Sequence, residues 1–178
     1  MKTLVDHINE ALKIGKNLSE WSSYSCQPKT KEELQEIIKN RIRKQGPNCD
    51  FNDIDTSLIE DMSYLFYGAK FTGDISGWDI SSVINMEAMF ASSNFNGDIS
   101  KWNTSSVTNM TVAFAKSQFN GDISGWNVSK VEDMSDMFYE SKFNQNISNW
   151  KINKDCETYK MFYKCPIKDE YKPKSLQS

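Results

Sequence analysis

The chain repeats itself every 24 residues. Phe71-Thr72-Gly73-Asp74-Ile75-Ser76-Gly77-Trp78 returns at 95–102 and at 119–126, and in altered form at 143–150. A fainter copy, recognisable from its second half, occupies 51–66. A fixed period in this range predicts a stack of like coils, because one coil of this length cannot bury its own apolar edge and must borrow its neighbours. Such stacks carry very different surfaces, so the period constrains architecture more than function.

Spacing inside each copy changes halfway. Trp78 and Ile80, Trp102 and Thr104, and Trp126 and Val128 are two apart, which is strand spacing. Met110, Ala113 and Phe114 fall at i, i+3 and i+4, one face of a helical turn. Ahead of each such turn stands Asp61, Asn85, Asn109 or Asp133, a side chain able to cap free amides. Each coil therefore reads as a short strand, a bend at Ser81, Ser105 or Ser129, and one capped helical turn. Gly73, Gly97 and Gly121 mark the return bend, where a positive φ would favour glycine.

The ends read differently. Thr30-Lys31-Glu32-Glu33 has the capping-box pattern, and Leu34, Ile37, Ile38 and Ile42 share one face, so 30–44 predicts an amphipathic helix stopped by Gly46-Pro47. A weaker amphipathic segment at 4–18 carries Leu4, Val5, Ile8 and Leu12. Both helices are expected to cover the first coil. Three regions follow: an N-terminal helical cap at 1–46, the repeats at 47–167, and a loose polar tail at 168–178.

A net charge of −3 leaves no basic face for phosphates, and the lysines and arginines of 29–44 are interleaved with Glu32, Glu33 and Glu36, which argues against nucleic acid. The longest apolar runs are too short to enter a bilayer, and Asp6 and His7 interrupt the start where a secretory signal needs apolar residues. That combination predicts a cytoplasmic or phage-particle location rather than classical secretion. Cys26, Cys49, Cys156 and Cys165 form no CxxC pair, and His7 alone cannot complete a zinc set. Cys156 and Cys165 share the last coil, where a disulfide is geometrically open; without an export signal, free thiols are the preferred reading.

The string Gly-Asp-Ile-Ser-Lys-Trp-Asn-Thr-Ser-Ser-Val-Thr-Asn-Met at 97–110 resembles the bacterial surface-protein 26-residue repeat, a family of unknown function related to leucine-rich repeats. The resemblance covers 51–162. It implies an α/β repeat solenoid, a right-handed leucine-rich-repeat-like stack of about five strand–turn–short-helix coils behind the helical cap. It also implies a surface that binds other molecules at a cell or particle exterior, and it brings no catalytic residues.

No phosphate-binding glycine loop, GxSxG elbow or HExxH pair is present, and the regularity is nearly unbroken, so no enzyme activity and no cofactor are expected. Asp50, Asp74, Asp98 and Asp122 form an acid column that ends in Asn146. Like charges so close repel, and two arrangements relieve this: each carboxylate accepts from local turn amides, or the column collects calcium. A lone Gly-Asp is sparse for a calcium repeat, which favours the turns. Trp78, Trp102, Trp126 and Trp150 pose a similar choice between a sugar-binding strip and a core; Ile54 stands in their place in the first copy, which favours the core.

What remains is the outward variation beside the tryptophans. Asp79, Lys101, Asn103, Asn127, Asn149 and Lys151 form the candidate binding face. The expectation is a non-enzymatic module that binds a protein partner; the alternative is a structural or adhesive component of a bacterial or phage surface that binds glycan.

Overall fold

The computed structural model describes residues 24–177. Its first element is a helix, α1 (Lys31–Gln45). Thr30 caps it, its hydroxyl oxygen accepting from Glu33 N–H at 3.3 Å, and Glu33 in turn accepts from Lys29 N–H at 2.7 Å. Gly46, at φ +90°, closes the other end by donating to Ile42 O at 2.8 Å. Leu34 and Ile38 enter the main core, and the Arg41 guanidinium pairs with Asp53 and lies 5.2 Å over the Phe51 ring. The second expected helix, 4–18, and His7 lie outside the described residues.

The α/β solenoid with its helical cap is overturned. Among the described residues α1 is the single α-helix, and the only β pairing is isolated parallel bridges, so there is no sheet. The repeats are instead built almost wholly from turns. In 62–69, alternate amides have different partners. Met62, Tyr64, Phe66 and Gly68 donate to Asn85, Glu87, Met89 and Ala91 of the next repeat at 2.8–2.9 Å, whereas Leu65, Tyr67 and Ala69 donate three residues back. The pattern recurs at 86–93, 110–117 and 134–141.

Backbone conformation explains why no helical turn forms. Each repeat places two residues four apart in the left-handed region: Tyr64 with Gly68, Ala88 with Ser92, Val112 with Lys116, Asp136 with Glu140, and Lys160 with Lys164. A left-handed residue cannot continue a right-handed helix. Asn85 and its equivalents therefore do not cap helices; they occupy the bridges Asp61↔Asn85↔Asn109↔Asp133.

The expected strand is missing for another reason. Trp78 N–H closes a turn on Ile75 O and Val83 N–H one on Ile80 O, and repeats are joined here by side chains. Thr56 Oγ1 donates to Asp79 O at 2.8 Å and Thr104 Oγ1 to Asn127 O at 3.0 Å. Side-chain donors have replaced a backbone ladder.

Inside the column the apolar residues stack by type. Phe71, Phe95, Phe119 and Phe143 follow one another at 5.8–6.3 Å between ring centres, and Phe66, Phe90, Phe114, Phe138 and Phe162 at 5.4–5.8 Å. Each fully buried ring contributes about 2–3 kcal/mol from water removed, before conformational entropy is charged against it. Gly73 is required by proximity rather than by φ, which is not positive there: a Cβ would meet Cys49 O at 1.9 Å and the Phe71 ring at 2.5 Å.

Residues 168–177 are not a loose tail. They form two 3₁₀ turns, Asp169–Tyr171 and Lys174–Leu176, and Tyr171 O accepts from Ile147 N–H at 2.9 Å while Tyr171 and Leu176 pack on the core. In the fifth repeat the amides of Lys160, Phe162 and Lys164 occupy the register that elsewhere reaches the next repeat, and among the described residues none of them finds an acceptor.

Candidate interaction surfaces

Three columns of Asp and Asn line the outside, and all serve turns. The Oδ1 atoms of Asp50, Asp74, Asp98 and Asp122 accept from the amides two residues on, Asn52, Ser76, Ser100 and Ser124, at 2.8–2.9 Å. Asn146 does the same with Ser148 at 3.0 Å. The turn amides hold the carboxyls of Asp74, Asp98 and Asp122 below the usual aspartate range, partly opposed by burial and, for Asp98 and Asp122, by the neighbouring aspartate. The acid column is thus stabilised from within the turns. Among the described residues no three His, Cys, Asp or Glu side chains gather as a metal set.

The four tryptophans of the repeats are buried, between 4% and 5% exposed, and each is tied to the preceding repeat. Nε1 of Trp78, Trp102, Trp126 and Trp150 donates to the carbonyls of Phe51, Ile75, Ile99 and Ile123 at 3.0–3.2 Å. These four side chains therefore form part of the core and not an exposed aromatic strip.

The face beside them is exposed as expected, but most of its side chains have local duties. Asp79, Asn103 and Asn127 accept through Oδ1 from Ser81, Ser105 and Ser129 amides at 2.9–3.2 Å. Asn149 donates to Ser124 O of the preceding repeat at 3.0 Å. Lys101 and Lys151 are exposed. A shallow polar hollow of about 380 Å³ lies nearby between the last two repeats, lined by Asp122, Ser124, Gln145, Asn146, Ser148 and Asn149.

A more distinctive surface lies on the outside of the turn ribbon, where sequence reading placed a helix. There the outward positions run Tyr64, Ala88, Val112, Asp136, Lys160 in one column and Tyr67, Ala91, Ala115, Tyr139, Tyr163 in the next. The small residues of the second and third repeats sink between larger neighbours and leave a trough of about 480 Å³. Its floor, Ala88, Ala91 and Ala115 with Val112 and Tyr139 against them, is an apolar cluster separate from the main core. Tyr64 and Tyr67, 48% and 59% exposed, wall one end. Asp136, Tyr139 and Lys160 wall the other.

With this geometry in view, comparison with known families is informative. A family described as "Mycoplasma protein of unknown function, DUF285" matches residues 32–117 and again 71–172, the second match alone covering more than half of the chain. The chain belongs to the DUF285 family. Neither a curated protein nor a solved structure matches it. The DUF285 chain is thus a bacterial-type repeat domain of unknown function, and its repeats are the turn-built units described above.

The cysteines of this DUF285 chain are all free thiols. Burial pushes Cys156 up to about 11, with nearby Asp133 adding to the shift, and burial also raises Cys165 and Cys49. These three are not poised as nucleophiles at neutral pH. No helix among the described residues is long and apolar enough to cross a membrane.

Proposed function

We propose that this DUF285 chain is a non-enzymatic binding module that recognises a protein partner through the trough on its turn ribbon. The carrying observation is the trough itself: an alanine floor kept apart from the main core and flanked at one end by the exposed Tyr64 and Tyr67. Exposed tyrosines beside a small-residue floor offer large contact area at low entropic cost, which favours a polypeptide ligand. The tyrosine walls stand three repeats apart, about 15 Å at the roughly 4.8 Å interval of hydrogen-bonded backbones, room for one polypeptide segment. The resemblance to bacterial surface-protein repeats supports a role at a cell or particle surface.

The test is affinity capture from a native bacterial extract with three baits: the unaltered chain, a trough-filled A91R variant, and a K101A/K151A variant of the face beside the tryptophans. A partner retained by the first and third baits and lost from the second supports the reading. A partner lost only from the third places binding beside the tryptophan column, and one retained equally by all three removes the trough from consideration.

A further inference from the structure

The turn ribbon ends on an open edge. At each of the four earlier junctions, alternate amides of one ribbon donate to alternate carbonyls of the next. The last such set runs from Met134, Asp136, Phe138 and Glu140 to Glu157, Tyr159, Met161 and Tyr163 at 2.8–2.9 Å. Thr158, Lys160, Phe162 and Lys164 hold the same positions in the fifth repeat, and among the described residues their amides have no acceptor. The closing segment, 168–177, does not fill this place. It pairs with Ile147 and packs Tyr171 and Leu176 on the core, while Lys160, Tyr163 and Lys164 stay exposed. Phe162 is half-buried, whereas Phe90, Phe114 and Phe138 of the same column are fully buried. A row of unpaired amides at the end of a ladder is a template for another backbone.

Charge decides which backbone this edge admits. The left-handed positions of the fourth repeat, Asp136 and Glu140, are both acids, and those of the fifth, Lys160 and Lys164, are both lysines. The two sets match in pairs. Lys164 Nζ donates to Glu140 Oε1 at 2.9 Å, and the Lys160 ammonium is raised above the ordinary lysine range by Tyr159 and, to a lesser degree, by Asp136. Lys116 also stands 3.9 Å from Glu140, so three lysines face two acids, and no acid lies between Thr158 and Cys165. Lysines on an edge keep basic and apolar strands away. The same charges select an acidic one.

We propose that the fifth-repeat edge binds an extended acidic segment of a partner protein, whose alternate carbonyls accept from Thr158, Lys160, Phe162 and Lys164 and whose two acidic side chains, four residues apart, lie against Lys160 and Lys164. Extended backbone presents carbonyls along one edge at every second residue and sets residues i and i+4 on one face, so a single strand meets both demands. The spacing of four is that of Asp136 and Glu140, which stand in the same relation to the two lysines from the other side. The edge is separate from the alanine floor, so this inference goes beyond the trough reading and does not depend on it.

The probes are two synthetic peptides of about nine residues, long enough for four alternate carbonyls. Both have the same composition, a pair of glutamates among threonines and serines, with the glutamates four apart in one and three apart in the other. Fluorescence anisotropy follows binding to the full chain, and amide hydrogen exchange is read residue by residue with and without peptide. The four-spaced peptide should bind about tenfold more tightly than the three-spaced one and about tenfold more weakly to K160Q/K164Q. It should also slow exchange at Thr158, Lys160, Phe162 and Lys164. Thermal unfolding confirms that K160Q/K164Q is folded, since an exposed pair such as Lys164–Glu140 contributes little to stability. A91R, which fills the trough, should bind this peptide as the unaltered chain does. Binding of neither peptide overturns the proposal, and the lysines then only keep other chains off the edge. Binding indifferent to spacing and without amide protection overturns it too, as charge attraction alone. Loss of binding with A91R overturns it by moving the segment into the trough. Self-association in sedimentation that the four-spaced peptide fails to displace overturns it by giving the edge to a second copy.

Discussion

Trp126 Nε1 donates to Ile99 O at 3.0 Å, joining residues 27 positions apart and binding one repeat to the one before it. Replacing Trp126 by Phe removes the link between the repeats, leaving Ile99 O only the Trp102 N–H of its own repeat at 3.2 Å, and opens space in the core. The expected cost is about 3 kcal/mol. Tyr67→Ala, on the exposed wall of the trough, should stay within about 0.5 kcal/mol. Urea unfolding of the two variants checks the contrast, and equal losses would contradict the tryptophan's role in joining repeats.

Glycine positions divide sharply. Gly73→Ala brings a methyl to within 1.9 Å of Cys49 O, a backbone atom that cannot move without shifting the first repeat. A loss of about 3 kcal/mol is expected. At Gly125 a Cβ meets nothing closer than Ser100 O at 3.7 Å, so Gly125→Ala should be neutral or stabilising by about 0.5 kcal/mol. Thermal unfolding of the pair is the measurement.

Acid sensitivity follows from the aspartate column. Asp74, Asp98 and Asp122 have folded-state pKa values below their unfolded ones, chiefly because turn amides bond the carboxylate. Their stabilisation is therefore complete above the unfolded value, about 3.9, and is lost as pH falls through the lower folded values. A D74N/D98N/D122N variant keeps the turn bonds, as Asn146 does with Ser148, yet no longer titrates. It should match the unaltered chain at pH 7 and show a shallower loss of stability below pH of about 4 in acid titrations followed by circular dichroism. Asp53, lowered by its bond to Arg41, retains a residual dependence in both proteins.

Val112 is a β-branched residue at φ 51°. That conformation is costly for a branched side chain and cheap for asparagine. Val112→Asn should raise stability by about 1 kcal/mol in urea unfolding while taking one apolar group from the trough floor. A decrease instead would show that the floor cluster outweighs the strain.

The inward half of each repeat was legible in the sequence. Phe, Ile, Trp, Val and Met at 24-residue intervals became stacked buried columns because those side chains have no other shelter. The column of Asp50, Asp74, Asp98 and Asp122 was legible too, as residues able to hold their own turns, whereas Asp61, Asn85, Asn109 and Asp133 read as helix caps and Asp79, Asn103 and Asn127 as a binding face. The secondary structure was misread because its signals are shared. Met110, Ala113 and Phe114 at i, i+3 and i+4 fit a helical turn, and equally two successive turns broken by a left-handed Val112. Nothing about an alanine or a valine announces a positive φ.

The trough was hidden by the same error. Ala88, Ala91, Val112 and Ala115 are ordinary helix residues by type, and by sequence alone the outward variation stands out only beside the tryptophans. The missed signal was Tyr, Ala, Val, Asp, Lys down the column from 64 to 160, where a repeat that only needed to stack had no reason to vary.

The amides of Lys160, Phe162 and Lys164, which among the described residues find no acceptor in a register that repeats every 24 residues, also bear on how such a chain can change in length. Between α1 at one end and the 3₁₀ turns at the other, successive repeats are related by translation and make the same contacts. An inserted copy of 24 residues hands every donor a fresh acceptor, whereas a single added residue shears the phenylalanine, tryptophan and asparagine columns together. Heredity can therefore edit this molecule cheaply in whole repeats and hardly at all in fractions of one, and each added repeat would lengthen the trough's outer surface by a further set of positions open to selection.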